Sequence, residues 1–241
     1  MSAVRRLGNA AIAAVTAVAL CSGAWLLGSG AATHAPPQPS AAEAHEVDEA
    51  DEGHEAREGH EGRADAPAGG RTEAHADRAR PEPSAAPALP PSPPDRIRIP
   101  SIRVNAPLMG LGLTPTGSLE VPPAAKKNLA GWYEAGTTPG ERGTAIVAGH
   151  VDNADGPAVF YDLGALKKGA AIEVDRRDGG VAVFAVDAVE VYAAKHFPDE
   201  KVYGAAARPE LRVITCGGDY SRSTGYQGNV VVFAHLTGSG R

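Results

Sequence analysis

Cysteine is nearly absent from this chain. Only Cys21 and Cys216 occur in 241 residues, which excludes a disulfide-stapled framework. An excess of basic charge is missing too: the net charge is −6, so there is no basic face of the kind that nucleic acid requires. That negative charge is carried by residues 31–94, where thirteen Asp and Glu face five Arg, whereas residues 95–241 hold sixteen of each sign and balance. Long amphipathic stretches are lacking as well. Residues 159–167 form the one short helix candidate, and the rest of the C-terminal part must be sought in strands.

What is present divides the chain into three. Arg5 and Arg6 precede a small-apolar run over 10–27, close to the ~20 residues that cross a bilayer. Positive charge stays inside, so residues 1–30 read as a single-pass signal anchor with the bulk of the chain outside the cell. A cleaved signal peptide is the competing reading, and the length of the run favours the anchor. Residues 31–94 contain Ala, Pro, Glu, His and Arg with almost no large apolar side chain, and cannot bury enough surface to offset ordering entropy. They read as a disordered acidic linker with a stiff proline-rich end over 86–94. Its paired Gly-His-Glu units, at 53–55 and 59–61, lack the fixed ligand spacing and scaffold of a metal site.

Residues 95–241 read as the folded domain. Alternating or continuous apolar runs occur at 96–104, 144–150, 171–175, 181–192, 211–216 and 229–235, separated by turn sequences such as 139–143, 177–180 and 217–219. Many short strands at this spacing predict a mainly β fold with short helices, closed or nearly closed into a barrel.

Two of these strands end in chemistry. The run 144–149 leads into His150, and the run 211–215 leads into Cys216 and then Gly217-Gly218. If the two ends lie side by side, an imidazole and a thiol meet at one rim. A thiol with an ordinary pKa near ~8.5 is mostly protonated at neutral pH and gains from an acid/base partner. With Cys21 inside the apolar run, Cys216 is the only thiol of the exported part, and an unpaired thiol there reads as reactive. Glycines beside both residues are expected to let a peptide approach. His196, in a loop, and His235, late in the last strand, lack this strand-end setting. Asp152 is a candidate to align His150.

The segments Ala-Gly-Trp-Tyr at 130–133, 136–143, Ala-Gly-His-Val-Asp at 148–152 and Leu-Arg-Val-Ile-Thr-Cys-Gly-Gly at 211–218 resemble the sortase family, particularly its class F members, over roughly 96–236. The resemblance implies a sortase β-barrel acting as a cysteine transpeptidase. Such an enzyme cleaves an LPXTG-like sorting signal of secreted proteins between Thr and Gly and passes the acyl group to an amine of peptidoglycan or its lipid-linked precursor. On this reading it needs no cofactor; the sequence shows no convincing Ca²⁺ loop, and scattered carboxylates leave Ca²⁺ binding open. The family's catalytic Arg aligns with Asn229 in an ungapped match, and class F members carry an Arg in the loop that here holds Arg222. The implied catalytic set is therefore His150, Cys216 and Arg222, with Thr215 against substrate. Two readings remain beside it: a cysteine endopeptidase of another fold, and an inactive surface-binding module, which the departure at Asn229 favours. A chymotrypsin-like protease needs two barrels, papain-like enzymes run Cys before His, and an L,D-transpeptidase sets the two in one compact motif.

Overall fold

The computed structural model describes residues 35–39 and 86–241. The expected anchor over 1–30 lies outside these residues, and among the described ones no helix is long and apolar enough to cross a membrane.

Eight strands close into a barrel. In chain order the strands are β1 (Pro94–Ile99), β2 (Val104–Leu111), β3 (Ala130–Tyr133), β4 (Gly143–Gly149), the short pair β5 (Asp152–Asn153) and β6 (Gly156–Pro157), β7 (Ala171–Arg176), β8 (Val181–Ala193), β9 (Pro209–Ser221) and β10 (Gly225–Gly240). Around the barrel they run β1-β2-β3-β4-β9-β10-β8-β7, and β7 pairs back onto β1. Closure leaves no open edge, as the strand-rich sequence predicts. Two contacts are parallel, β2 with β3 and β4 with β9, and the second sets the site described below.

Alternation along the strands divides the apolar residues between two clusters. Ile97, Val147, Val174, Phe184, Val213 and Val232 point inward. Tyr133, Ile146, Ile214, Val231 and Phe233 point outward and are covered by Val202 of helix α1 (Asp199–Tyr203). Residues 159–167, expected as a helix, instead form a cap that inserts Val159, Phe160, Leu163 and Leu166 into the interior cluster, with only a 3-10 turn at Leu163–Ala165. Apolar spacing there serves plugging of the barrel end, not a helical face. Burying each such large side chain contributes ~1.5–3 kcal/mol, and Phe160 is fully buried.

The proline-rich stretch before β1 lies on the barrel. The Leu89 N–H donates to Gly140 O at 2.8 Å, and the buried Arg176 guanidinium donates to Pro90 O and Pro139 O. Ser92 is buried, with its N–H on Thr138 Oγ1 at 3.1 Å. Prolines leave these carbonyls without a ladder, and Arg176 supplies the donors they lack. The ordered unit thus reaches back to Ala86.

Candidate active site

Parallel pairing of β4 with β9 decides the geometry. Its register runs from Gly143 opposite Pro209 to Ala148 opposite Ile214. His150 is the first residue past the end of β4, and continuing the register two steps beyond its last pair brings it toward Cys216 of β9. Facing follows from parity. Val147 and Val213 belong to the interior cluster, while Ile146 and Ile214 belong to the outer one, so the alternation carries His150 and Cys216 to the outer face together. Both are half-buried at the rim.

Thr215 joins the two strand ends. It is buried, it falls on the interior parity, and its hydroxyl donates to Gly149 O at 2.9 Å. The structure thus places Thr215 on the opposite face from Cys216, as a clamp holding the strand that ends in His150.

His150 is oriented from the other side. Its Nε2 lies 2.7 Å from Pro122 O, a group that only accepts, so Nε2 carries the proton and Nδ1 is left to exchange one. Asp152 does not perform this task. Its carboxylate accepts from Tyr226 OH at 2.6 Å, tying the turn after His150 to β10. Burial, and then the Asp152 carboxylate, push the Tyr226 phenol well above its ordinary pKa, so it stays a donor at any physiological pH.

The glycines beside the pair have a packing role. A Cβ at Gly149 would meet Val159 and Phe160 of the cap at 2.7 Å, and one at Gly217 would press on Val230. Gly218 differs. It sits at φ +76° where the β9–β10 ladder shifts register, with Gly217 opposite Gly228 but Tyr220 opposite Tyr226. This bulge turns the Gly218 N–H out of the ladder, a donor two residues past the thiol that sequence patterning did not show.

Asn229 and Arg222 occupy different places. Asn229 pairs directly with Cys216 across β9 and β10, which puts their Cβ atoms ~4.5–5.5 Å apart. Tyr192 of β8 pairs next, so Cys216, Asn229 and Tyr192 form one row across three strands. Burial, then its hydrogen bond to Glu190, push Tyr192 up to about 12. Arg222 lies in the turn joining β9 to β10, exposed and without a hydrogen-bond partner among the described residues. Along the strand it is at most ~20 Å from Cys216, on a hairpin that the bulge bends. His196 is exposed in a 3-10 turn. His235 pairs with Glu210, toward the other end of the barrel, and bonds Asp187 at 2.7 Å.

No group of three or more His, Cys, Asp or Glu side chains is placed to hold a metal among the described residues.

Residues 97–237 match the sequence model of the sortase domain. The chain belongs to the sortase family. Solved sortases are similar to it at low identity. Sortase A from Corynebacterium diphtheriae is 19% identical with a TM-score of 0.46, over 60% of this chain and 61% of that one. Sortase A of Listeria monocytogenes is 17% identical with a TM-score of 0.45, over 60% and 86%. Sortase C1 of Streptococcus agalactiae, solved in complex with MTSET, is 16% identical with a TM-score of 0.46, over 60% and 69%. This sortase chain therefore spans less than two thirds of the C. diphtheriae chain. No curated protein matches it in sequence.

Proposed function

We propose that this sortase is a membrane-anchored, extracellular cysteine transpeptidase of the class F type, acting on an LPXTG-like sorting signal of secreted proteins. The observation that supports the reading is the parallel β4–β9 register, which runs to Ala148 opposite Ile214, two residues short of His150 and Cys216 at the same end of the barrel. In the proposed reaction Cys216 Sγ, as thiolate, attacks the carbonyl carbon of the signal's Thr. The carbonyl oxygen gains the negative charge, the C–N bond to Gly breaks, and His150 gives its proton to the departing amine. The resulting thioester is attacked by an amine of peptidoglycan or its lipid-linked precursor. His150 takes that amine's proton, and Cys216 leaves as thiolate.

Arg222 is the proposed cation for the developing oxyanion, supported by its position on the hairpin that continues the nucleophile strand and by the lack of any other Lys or Arg between Cys216 and Leu236. Thr215 serves substrate indirectly, by fixing Gly149 and hence His150. The three-part organisation follows the composition, with an anchor over 1–30, an acidic linker from residue 31, and a catalytic domain whose ordered unit reaches back to Ala86.

The test is transfer. The chain is incubated with LPXTG-type and LAXTG-type peptides and an amine, comparing wild type with Cys216→Ala and Arg222→Ala. Product from wild type and none from Cys216→Ala is the expected result. Absence of any acyl-enzyme on Cys216 with every peptide contradicts it.

A further inference from the structure

Asp152 stands two residues past the proposed base, on a turn that is fastened from several sides. It lies in β5, opposite Pro157 of β6. The Ala158 N–H donates to Val151 O at 2.9 Å, and Asn153 Nδ2 donates to Ala124 O at 2.7 Å. Ala124 belongs to the same stretch as Pro122, whose carbonyl orients His150. The carboxylate therefore sits on a firm mount. It bonds a phenol, whereas the imidazole bonds Pro122 O: Tyr226 Oη donates to Asp152 at 2.6 Å.

The hairpin that carries Arg222 is hinged at its base. Gly217 pairs with Gly228, so the rung below the bend has no cross-strand pair of side chains. Gly218 follows at φ +76°, a backbone conformation that a residue with a Cβ rarely adopts. The Ser221–Ser223 and Gln227–Thr224 bonds stay within the hairpin. Tyr226 reaches out of it. Its ring is buried and packs on Tyr220 across the ladder with centroids 5.0 Å apart, and its hydroxyl meets a carboxylate seventy-four residues away in sequence.

We propose that Asp152 and Tyr226 are positioning residues that act as a latch: their hydrogen bond holds the Arg222 hairpin against the turn that follows His150, and so sets the place of the guanidinium relative to Cys216. This rests on the reading of Cys216 as the nucleophile and Arg222 as its cation. A hydroxyl bonded to an ionised carboxylate makes one of the stronger hydrogen bonds a side chain can make. Here it ties the element that holds the proton carrier to the element that holds the charge. Asp152 thereby serves the oxyanion through Arg222, in place of the imidazole-aligning role that its spacing from His150 suggests.

The experiment reads the hairpin without substrate. The full chain is treated with trypsin, and release of the fragment that begins at Ser223 is followed by mass spectrometry. A protease cuts the opened form of a hairpin, so the rate tracks the open population. Tyr226→Phe keeps the ring and removes the hydroxyl. It is expected to speed this cut roughly tenfold or more, the population change that follows loss of a hydrogen bond to a charged group, with an unchanged melting temperature. Asp152→Ala is expected to match it, and Asp152→Asn, which keeps an acceptor oxygen, to restore slow cleavage. In the transfer assay Tyr226→Phe and Asp152→Ala should each lower kcat roughly tenfold with little change in KM, and the double variant should be no worse than either. Asp152→Asn should recover most of the lost kcat, and Tyr226→Phe should add nothing to Arg222→Ala. Equal cleavage rates in wild type and Tyr226→Phe overturn the latch. So does an Asp152→Asn variant that loses as much kcat as Asp152→Ala and shifts the pH profile, the sign that the carboxylate acts on His150 by its charge. A chain that shows the latch in cleavage yet never acylates Cys216 fails the transpeptidase reading and not the latch. One that transfers at the wild-type rate with Tyr226→Phe keeps the transpeptidase reading and loses the positioning role.

Discussion

The two halves of strand β9 behave differently although they are one strand. From Glu210 to Ile214 each residue is paired with β4 on one side and β10 on the other, Thr215 and Cys216 still pair with β10, and the facing of this half is fixed by pairing. Beyond Gly218 only the β10 partner remains, the register has slipped by a residue, and the strand ends in an exposed turn bearing Arg222. A side chain on the first half has its place set by the ladder. One on the second half has its place set by a hairpin whose bend is a matter of two glycines. The proposed nucleophile sits on the locked half and its proposed cation on the other.

The comparison can be broken in several ways. The largest effect is expected on the locked half. Cys216→Ala should abolish transfer, and His150→Ala should lower kcat by ~10³ to 10⁴, both read by product formation with unchanged melting temperature. On the second half, Arg222→Ala should cost ~10² to 10³ in kcat if its guanidinium meets the oxyanion. An unaffected Arg222→Ala together with a large loss in Asn229→Ala would move that role onto the ladder and erase the contrast.

Stability should also respond on the locked half. Glu210 lies on the locked half with Arg212 at 2.7 Å, and Arg212 is buried over the Phe233 ring. Burial alone would raise the Glu210 carboxyl, but hydrogen bonds from Arg212 and Arg208 outweigh it and hold the pKa below the ordinary 4.5. A carboxyl lowered on folding adds stability above its unfolded pKa and loses it as pH falls through the folded one. Glu210→Gln should therefore cost on the order of 2 kcal/mol at pH 7, since it strands the Arg212 charge. The gap should narrow in melts taken below about pH 4.5, the ordinary Glu value. The smallest effect is expected from Thr215→Val. Losing one buried hydrogen bond costs about 1 kcal/mol, with a severalfold fall in kcat and little change in KM, because the clamp positions His150 and touches no substrate.

How far the sequence spoke follows the same division. The continuous apolar runs ending at His150 and Cys216 declared themselves as buried strands, and the count of short strands pointed to a closed barrel. Strand β3 was hidden, since four residues with a Gly and a Trp carry no period. The cap was misread as a helix because its apolar residues fit a helical spacing while serving to plug the barrel end. Helix α1 is a single turn after Pro198, too short to leave a pattern. The glycines next to the pair suggested room for substrate, but Gly149 and Gly217 make room for Phe160 and Val230. Nor does any local signal announce that the Pro122 carbonyl, twenty-eight residues away, selects the His150 tautomer. Contacts of that range are set by closure of the barrel and not by neighbours in the chain.

The account turns on His150 and Cys216 facing each other across β4 and β9, and a cross-link tests this directly. In a chain carrying Cys21→Ser, His150→Cys places a second thiol at the position of the imidazole, and continuation of the β4–β9 register predicts Cα atoms ~5 Å apart, inside the range that a disulfide spans. Mild oxidation should join residue 150 to Cys216, seen by peptide mapping as a single linked pair and by loss of both alkylation sites. A folded protein in which both thiols stay open to alkylation after oxidation would contradict the register on which the site is built.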